Sequence, residues 1–238
     1  MFNQTKRVRC EAFTLIELLV VISIILIASS IIFIGGNSGA GASLSSSTRI
    51  VSGISQGARG QAILKNASVR LIINNDLNDI DKYRRHFGIV YRGQDIADPA
   101  DPTGPPLKQW IAATQGTYLP EGVYFDAATS SAESGSAWSV ANSMKLEYPR
   151  VRAVPENGGS DYLYYEFFTN GNSANSNAYL VLRCGTVIPN TTGDAVSEIR
   201  VNPEDLFLRS ALIFRRAGTT TSVSMPEDIS VSSDVEVK

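Results

Sequence analysis

The chain is poor in the residues that build most catalytic and metal sites. It has a single histidine, His86, and two cysteines, Cys10 and Cys184. One histidine and so few thiols leave no set of three or four Cys/His ligands of the kind a zinc site gathers. Two cysteines are also too few for a disulfide framework. A cut between them would leave Cys184 alone, and a lone cysteine in an exported protein is expected to be buried as a small hydrophobe. Charged residues make up only 18% of the chain against 43% hydrophobic. That balance excludes a disordered or nucleic-acid-wrapping chain. No Gly-Lys-Ser/Thr phosphate loop is present, so any work driven by ATP must come from another protein. Nothing beside His86 suggests a nucleophile elbow, and Arg84, Arg85 and Phe87 around it read as a surface or strand-edge setting. A His86–Cys184 dyad gains no support from the local sequence.

What the chain does have is one long apolar run. Residues 13–34 contain Glu17 as their only charge, and a helix of that length matches the ~30 Å hydrocarbon core of a bilayer. The basic residues Lys6, Arg7 and Arg9 precede the run, which orients its start toward the cytoplasm. A cleaved secretory signal is one rival reading, supported by the small-x-small site Ala40-Gly41-Ala42. Against it, the apolar core exceeds the usual ~7–15 residues and holds a carboxylate. An ordinary anchor explains the length and leaves Glu17 unexplained, because a lone charge costs about 2.5–3.5 kcal/mol at mid-bilayer even on lenient scales.

The stretch "AFTLIELLVVISIILIA" resembles the prepilin-type signal of type IV pilins and type II secretion pseudopilins. The resemblance implies a cut by prepilin peptidase between Ala12 and Phe13 and methylation of the new amino terminus. Phe13 becomes the first mature residue and Glu17 the fifth. One departure from the family pattern is Ala12, where Gly is usual before the cut. Cleavage frees an amine that is largely cationic at neutral pH, and a neighbouring subunit with the right stagger can bring that amine to Glu17. Pairing the two ions in low dielectric avoids leaving either one unpaired. Phe13 and Glu17 are thus the expected assembly residues, and Glu17 sets the register between subunits.

Beyond the run, "GGNSGAGAS" reads as a Gly/Ser-rich joint at 35–43, since internal glycines cost a helix roughly 1 kcal/mol each. Residues 44–66 read as an amphipathic stem helix with a stripe of Ile50, Ile54, Ala58 and Ala62, and Val51 beside it. The end of that helix resembles H-type minor pseudopilins and FimT-type minor pilins at Ala58, Arg59, Ala62 and Ile63. "LIFRRAGTTTSVSM" is similar to the hairpin of the same group, with Phe214 and Gly218 in place. Leader 1–12, membrane helix 13–34, joint 35–43, stem 44–66 and a β-rich body 67–238 complete the division.

Short strands are predicted at 69–73, 87–91, 122–125, 144–151, 162–168, 178–188, 196–201, 206–214, 220–225 and 229–237. "NDLNDIDKYRRHFG" has room for a helical turn, "ADPADPTGPP" is a loop because prolines remove ladder donors, and the aromatic run "DYLYYEFF" reads as strand core. The expected fold class is α+β: a long amino-terminal helix packed on an antiparallel β-sheet or β-sandwich body, as in pilins. Charge is uneven, with eight basic and three acidic residues in 49–92 and ten basic against eighteen acidic in 93–238. Such asymmetry suits head-to-tail matching of subunits or plain solubility.

Asp76, Asn78, Asp79 and Asp81 place four oxygen side chains in six residues, and they are weak metal candidates because calcium stabilises the bodies of G-type major pseudopilins within the resembled family. The EF-hand spacing fails at Asp81, where Gly would be required. Solvated charge in a turn is the preferred reading for this group and for Asp95, Asp98 and Asp101, and no metal or other cofactor is expected. Arg209, Arg215 and Arg216 lie in an acidic half and fall short of the roughly six to ten contacts of strong salt-dependent DNA binding, so no nucleic-acid partner is expected.

The expected function is non-enzymatic: a type II secretion pseudopilus subunit in the bacterial inner membrane, its amino terminus cytoplasmic and its body periplasmic, later drawn into a helical filament. Prepilin peptidase, other pilins or pseudopilins and an inner-membrane assembly platform are the implied partners. A minor type IV pilin for adhesion, motility or DNA uptake is the alternative within that architecture. A membrane-anchored binding or enzymatic domain that never polymerises is the rival from another class.

Overall fold

A computed structural model describes residues 15–35, 39–98, 100–131, 142–150, 154–155, 158–174 and 177–224. The expected leader at 1–12 and the expected strand at 229–237 lie outside the described residues. Contacts divide the chain into two units, Met1–Gly39 and Ala40–Lys238.

The first unit is helix α1, Leu15–Gly35. Glycine and proline are absent from it until its last residue, so nothing in the run interrupts the main-chain ladder. Side chains are described from Leu15 to Ile25, and all but half-buried Ser23 are exposed. Among the described residues no helix is long and apolar enough to cross a membrane.

The second unit opens with helix α2, Gly39–Lys65. It starts within the Gly/Ser-rich segment, earlier than its apolar pattern announced. Its buried stripe is Leu44, Ser47, Thr48, Val51, Ser55, Ala58 and Ala62, which includes the predicted Val51, Ala58 and Ala62 and is turned partly away from Ile50 and Ile54. Ile50 and Ile54 are only partly buried at its flank. The prediction left out the rest of the stripe because three of its positions are hydroxyl residues. Ser47, Thr48 and Ser55 donate to the carbonyls of Ser43, Leu44 and Val51 at 2.7, 2.9 and 2.8 Å, so each enters the core with its polar group satisfied inside the helix. The helix ends at Asn66, whose φ of 48° is left-handed. Ala67 N–H bonds Ala62 C=O and Asn66 N–H bonds Ile63 C=O, both at 3.3 Å, closing carbonyls that a helix end leaves open.

Thirteen strands follow among the described residues: β1 Val69–Asn74, β2 His86–Arg92, β3 Gln109–Ala112, β4 Thr117–Tyr118, β5 Val123–Phe125, β6 Ser143–Leu146, β7 Val154–Pro155, β8 Ser160–Phe167, β9 Tyr179–Cys184, β10 Thr186–Pro189, β11 Val196–Arg200, β12 Arg209–Phe214 and β13 Thr220–Val223. The large sheet runs β6-β8-β1-β2-β3-β7, with β4 on the edge of β2 that β3 also uses. A four-stranded sheet runs β13-β12-β9-β5, and β10-β11 is a separate hairpin. Every pairing is antiparallel. The result is an α+β architecture in which α2 lies on antiparallel sheets, consistent with a pilin-like fold in general.

All six residues of β1 are buried, which the alternation of a strand explains only if both faces of the sheet are covered. Val69, Leu71 and Ile73 enter the main core with Val51, Ala58 and Ala62 of α2, Phe87, Tyr165 and Phe167 of the same sheet, and Leu180, Leu182, Leu212 and Phe214 of the four-stranded sheet. Tyr165 and Phe214 stack at 4.2 Å between ring centroids across that core. The opposite face carries a smaller cluster of Ile72, Val90, Trp110, Met144, Leu146 and Tyr162. Each large apolar side chain so buried contributes roughly 1.5–3 kcal/mol.

Three predicted strands change shape. The stretch 178–188 breaks at Gly185 into β9 and β10, which belong to different sheets. A Cβ at Gly185 would meet Ile199 Cγ2 at 2.9 Å and Arg200 O at 3.0 Å. The stretch 144–151 ends as β6 at Leu146, ahead of Pro149. The stretch 206–214 pairs only from Arg209, because the short 3-10 helix Pro203–Asp205 and the turn after it occupy what precedes. The segment 75–85 forms successive turns, and Tyr83 N–H bonds Asp79 C=O at 2.8 Å in a helical-type turn.

Candidate functional site

Lys6, Arg7, Arg9, Ala12 and Phe13 lie outside the described residues. Glu17 is the carboxylate in the first turn of α1, where the helix dipole favours negative charge. It is exposed, as are its neighbours: Leu15, Ile16 and Ile24 are 82%, 70% and 60% accessible. Ser23, the other polar group of this stretch, donates its hydroxyl to Leu19 C=O at 2.8 Å. The described half of α1 is therefore an apolar surface with one acid near its start.

The body places the other candidates apart from one another. Asp76 accepts from the main-chain and side-chain nitrogens of Asn78 at 3.0 and 3.1 Å. Burial pushes its carboxyl up, and the bonds from Asn78 and Ser160 with Lys145 nearby more than offset this, leaving it below the usual range. Asp79 pairs with Lys82 and Asp81 is exposed. Asp98 and Asp101 accept from main-chain nitrogens two residues on, and Asp95 pairs with Arg92 at 2.6 Å. The acidic residues thus serve their own turns, and no group of three His/Cys/Asp/Glu among the described residues could hold a metal.

His86 is not at the surface, one of the two settings its neighbours suggested, but it does stand at the end of a strand. It is 3% accessible, begins β2, and lies 4.7 Å from the Tyr118 ring and 5.7 Å from that of Tyr148. Its Nδ1 is buried without a hydrogen-bond partner among the described residues. Burial first, and Lys82 second, push the imidazole below its ordinary value, against a hydrogen bond with the Gln115 main chain and the charge of Asp79. Arg84 and Arg85 suggested a surface, yet their long side chains reach the Tyr83 and Tyr124 rings, and His86 is buried because both faces of β2 are covered from His86 to Val90. Cys184 is buried as expected, its Sγ 3.7 Å from Ala40 O, in the main core rather than near the tyrosines of His86. Burial raises its thiol. Residues 53–57, GISQG, carry the letters of a nucleophile elbow, yet Ser55 is buried in mid-helix with its hydroxyl on Val51 C=O.

Two further arrangements were not legible in the sequence. Arg70 is buried with its guanidinium carbon 3.8 Å from the Tyr164 ring and 4.1 Å from Trp110, while Nε donates to Glu166 at 3.0 Å. Such stacked, paired burial locks β1, β3 and β8 together. Arg59, near the end of α2, lies against Gly171 and Gly218, so a Cβ on Gly218 would come 3.1 Å from Arg59 Cδ. Both glycines have positive φ, 79° and 75°.

Residues 7–33 match the family model described as the prokaryotic N-terminal methylation motif. The chain therefore carries a prepilin-type processing and methylation signal, consistent with the pilin and pseudopilin family at large. No curated protein and no solved structure matches the chain.

Proposed function

We propose that this chain is a structural, non-enzymatic subunit of a pilin-like filament, and more narrowly of a type II secretion pseudopilus. In this reading the peptidase cuts between Ala12 and Phe13, the chain waits in the inner membrane with its body periplasmic, and an assembly platform draws it into the filament. The observation that carries the reading is the processing signal at 7–33 set on an apolar helix whose described surface holds one carboxylate, Glu17. The membrane span rests on the sequence of 13–34, with that single charge. Glu17 and the freed amine of a neighbour's Phe13 pair once subunits are staggered, and the apolar stems cover one another as they leave lipid.

The narrower choice of a pseudopilus is helped by the resemblance to H-type minor pseudopilins, one that FimT-type minor pilins share. The helix end and the hairpin that resemble H-type minor pseudopilins meet, Arg59 against Gly218, with Phe214 four residues earlier in the core. Glu17→Ala tests the reading. Insertion and cleavage should persist while filament assembly, followed by crosslinking of the full chain in its own membrane, falls more than tenfold. Filaments that form normally from the E17A chain would refute the role given to the carboxylate.

A further inference from the structure

Phe207 is the most exposed large apolar side chain among the described residues, at 86%, with Leu206 beside it at 47%. A floppy loop is not what exposes it. Asp205 N–H bonds Asn202 C=O at 3.0 Å, Leu208 N–H bonds Asp205 C=O at 2.9 Å, and Arg209 N–H bonds Phe207 C=O at 3.0 Å. Pro203 fixes the entry to the 3-10 helix. A tight turn therefore holds the ring out in water, where an apolar group of this size has no favourable contact.

Its place in the body indicates what covers it. Leu208, the next residue, packs against the main core, to which Ala40 and Leu44 also belong. Leu208 C=O accepts from Cys184 N–H at 3.2 Å, and Cys184 Sγ lies 3.7 Å from Ala40 O. The Leu206–Phe207 tip thus stands at the end of the body where the chain enters it. Only residues 35–39 separate Ala40 from Ile34, the last of the apolar run, a length of chain of at most about 22 Å.

We propose that Leu206 and Phe207 are a lipid contact: before assembly, the tip inserts into the interfacial zone of the same bilayer that holds the apolar run. The inference rests on the membrane-inserted reading above. A ring and a leucine dipping to the headgroup boundary bury apolar area, and the turn keeps the Asp205 and Phe207 carbonyls bonded internally. The tip then orients the body on the membrane surface, and it comes free when the subunit is extracted.

The test is photolabelling of the full wild-type chain in vesicles of phosphatidylethanolamine and phosphatidylglycerol whose acyl chains carry a diazirine. Adducts are mapped by mass spectrometry on two peptides, one from α1 and one spanning 201–209. Label on both is expected, and Phe207→Ser should reduce the second to background while leaving the first unchanged. The Phe207 ring makes no core contact, so that variant should keep the wild-type circular dichroism spectrum. Label on α1 with none on 201–209 overturns the lipid contact and leaves the membrane reading standing. Label on neither overturns both.

Discussion

Among single residues, His86 and Gly88 have consequences that a measurement can reach directly. His86 is held neutral by burial beside Lys82, and its imidazole sits below the ordinary value. The unfolded chain takes up that proton near pH ~6.5 while the folded chain resists it. The stability owed to neutral His86 is therefore fully present above about pH 6.5 and is lost as pH falls below it. Denaturant unfolding between about pH 8 and about pH 5.5 should show this loss, and His86→Gln should flatten it. An equally steep decline in the variant would assign it to other groups. Gly88 lies directly under the Tyr148 ring, and any Cβ there would collide with that ring. The Tyr148 hydroxyl is fixed by donation to Thr114 C=O at 2.7 Å, so the ring cannot easily retreat. Gly88→Ala should cost about 1–3 kcal/mol in denaturant unfolding, as overpacking does.

Among the elements, α2 and the strands it covers decide the stability of the body. Ala58 is fully buried against the sheets, and Ala58→Leu should destabilise by about 1–3 kcal/mol because the helix cannot rise off the core. Phe214→Ala removes a ring stacked on Tyr165 and should cost about 3–5 kcal/mol. Thermal or denaturant unfolding checks both. Much of this was legible in the sequence. The strand centres at 69–73, 87–91 and 162–168 came through because each is apolar, β-branched or aromatic and bounded by turn residues. The strands β3, β4 and β7 did not, since two to four residues are too few for a period to show. The buried face of α2 was only partly legible, with Val51, Ala58 and Ala62 found and the rest missed for a chemical reason. Hydropathy counts Ser47, Thr48 and Ser55 as polar, while each spends its hydroxyl on its own helix. The burial of His86 was hidden by flanking arginines, and the Arg70 pocket needed three strands brought side by side before it existed.

Taken whole, the molecule divides its labour between a greasy amino-terminal helix and a body whose described core is built from α2 and antiparallel strands. The processing signal was readable because it is contiguous: cut site, carboxylate and apolar run follow one another in the chain. The body offers no comparable local signature, and the contact of Arg59 with Gly218 joins segments far apart in the chain that only the fold brings together. Everything proposed for assembly depends on processing, since only a cut before Phe13 creates the amine with which a neighbour's Glu17 is to pair. Mass spectrometry of the protein purified from its native membrane reads this directly. A mature chain beginning at a methylated Phe13 is the expected result, and a chain retaining Met1, or one beginning at Ser43, would contradict it.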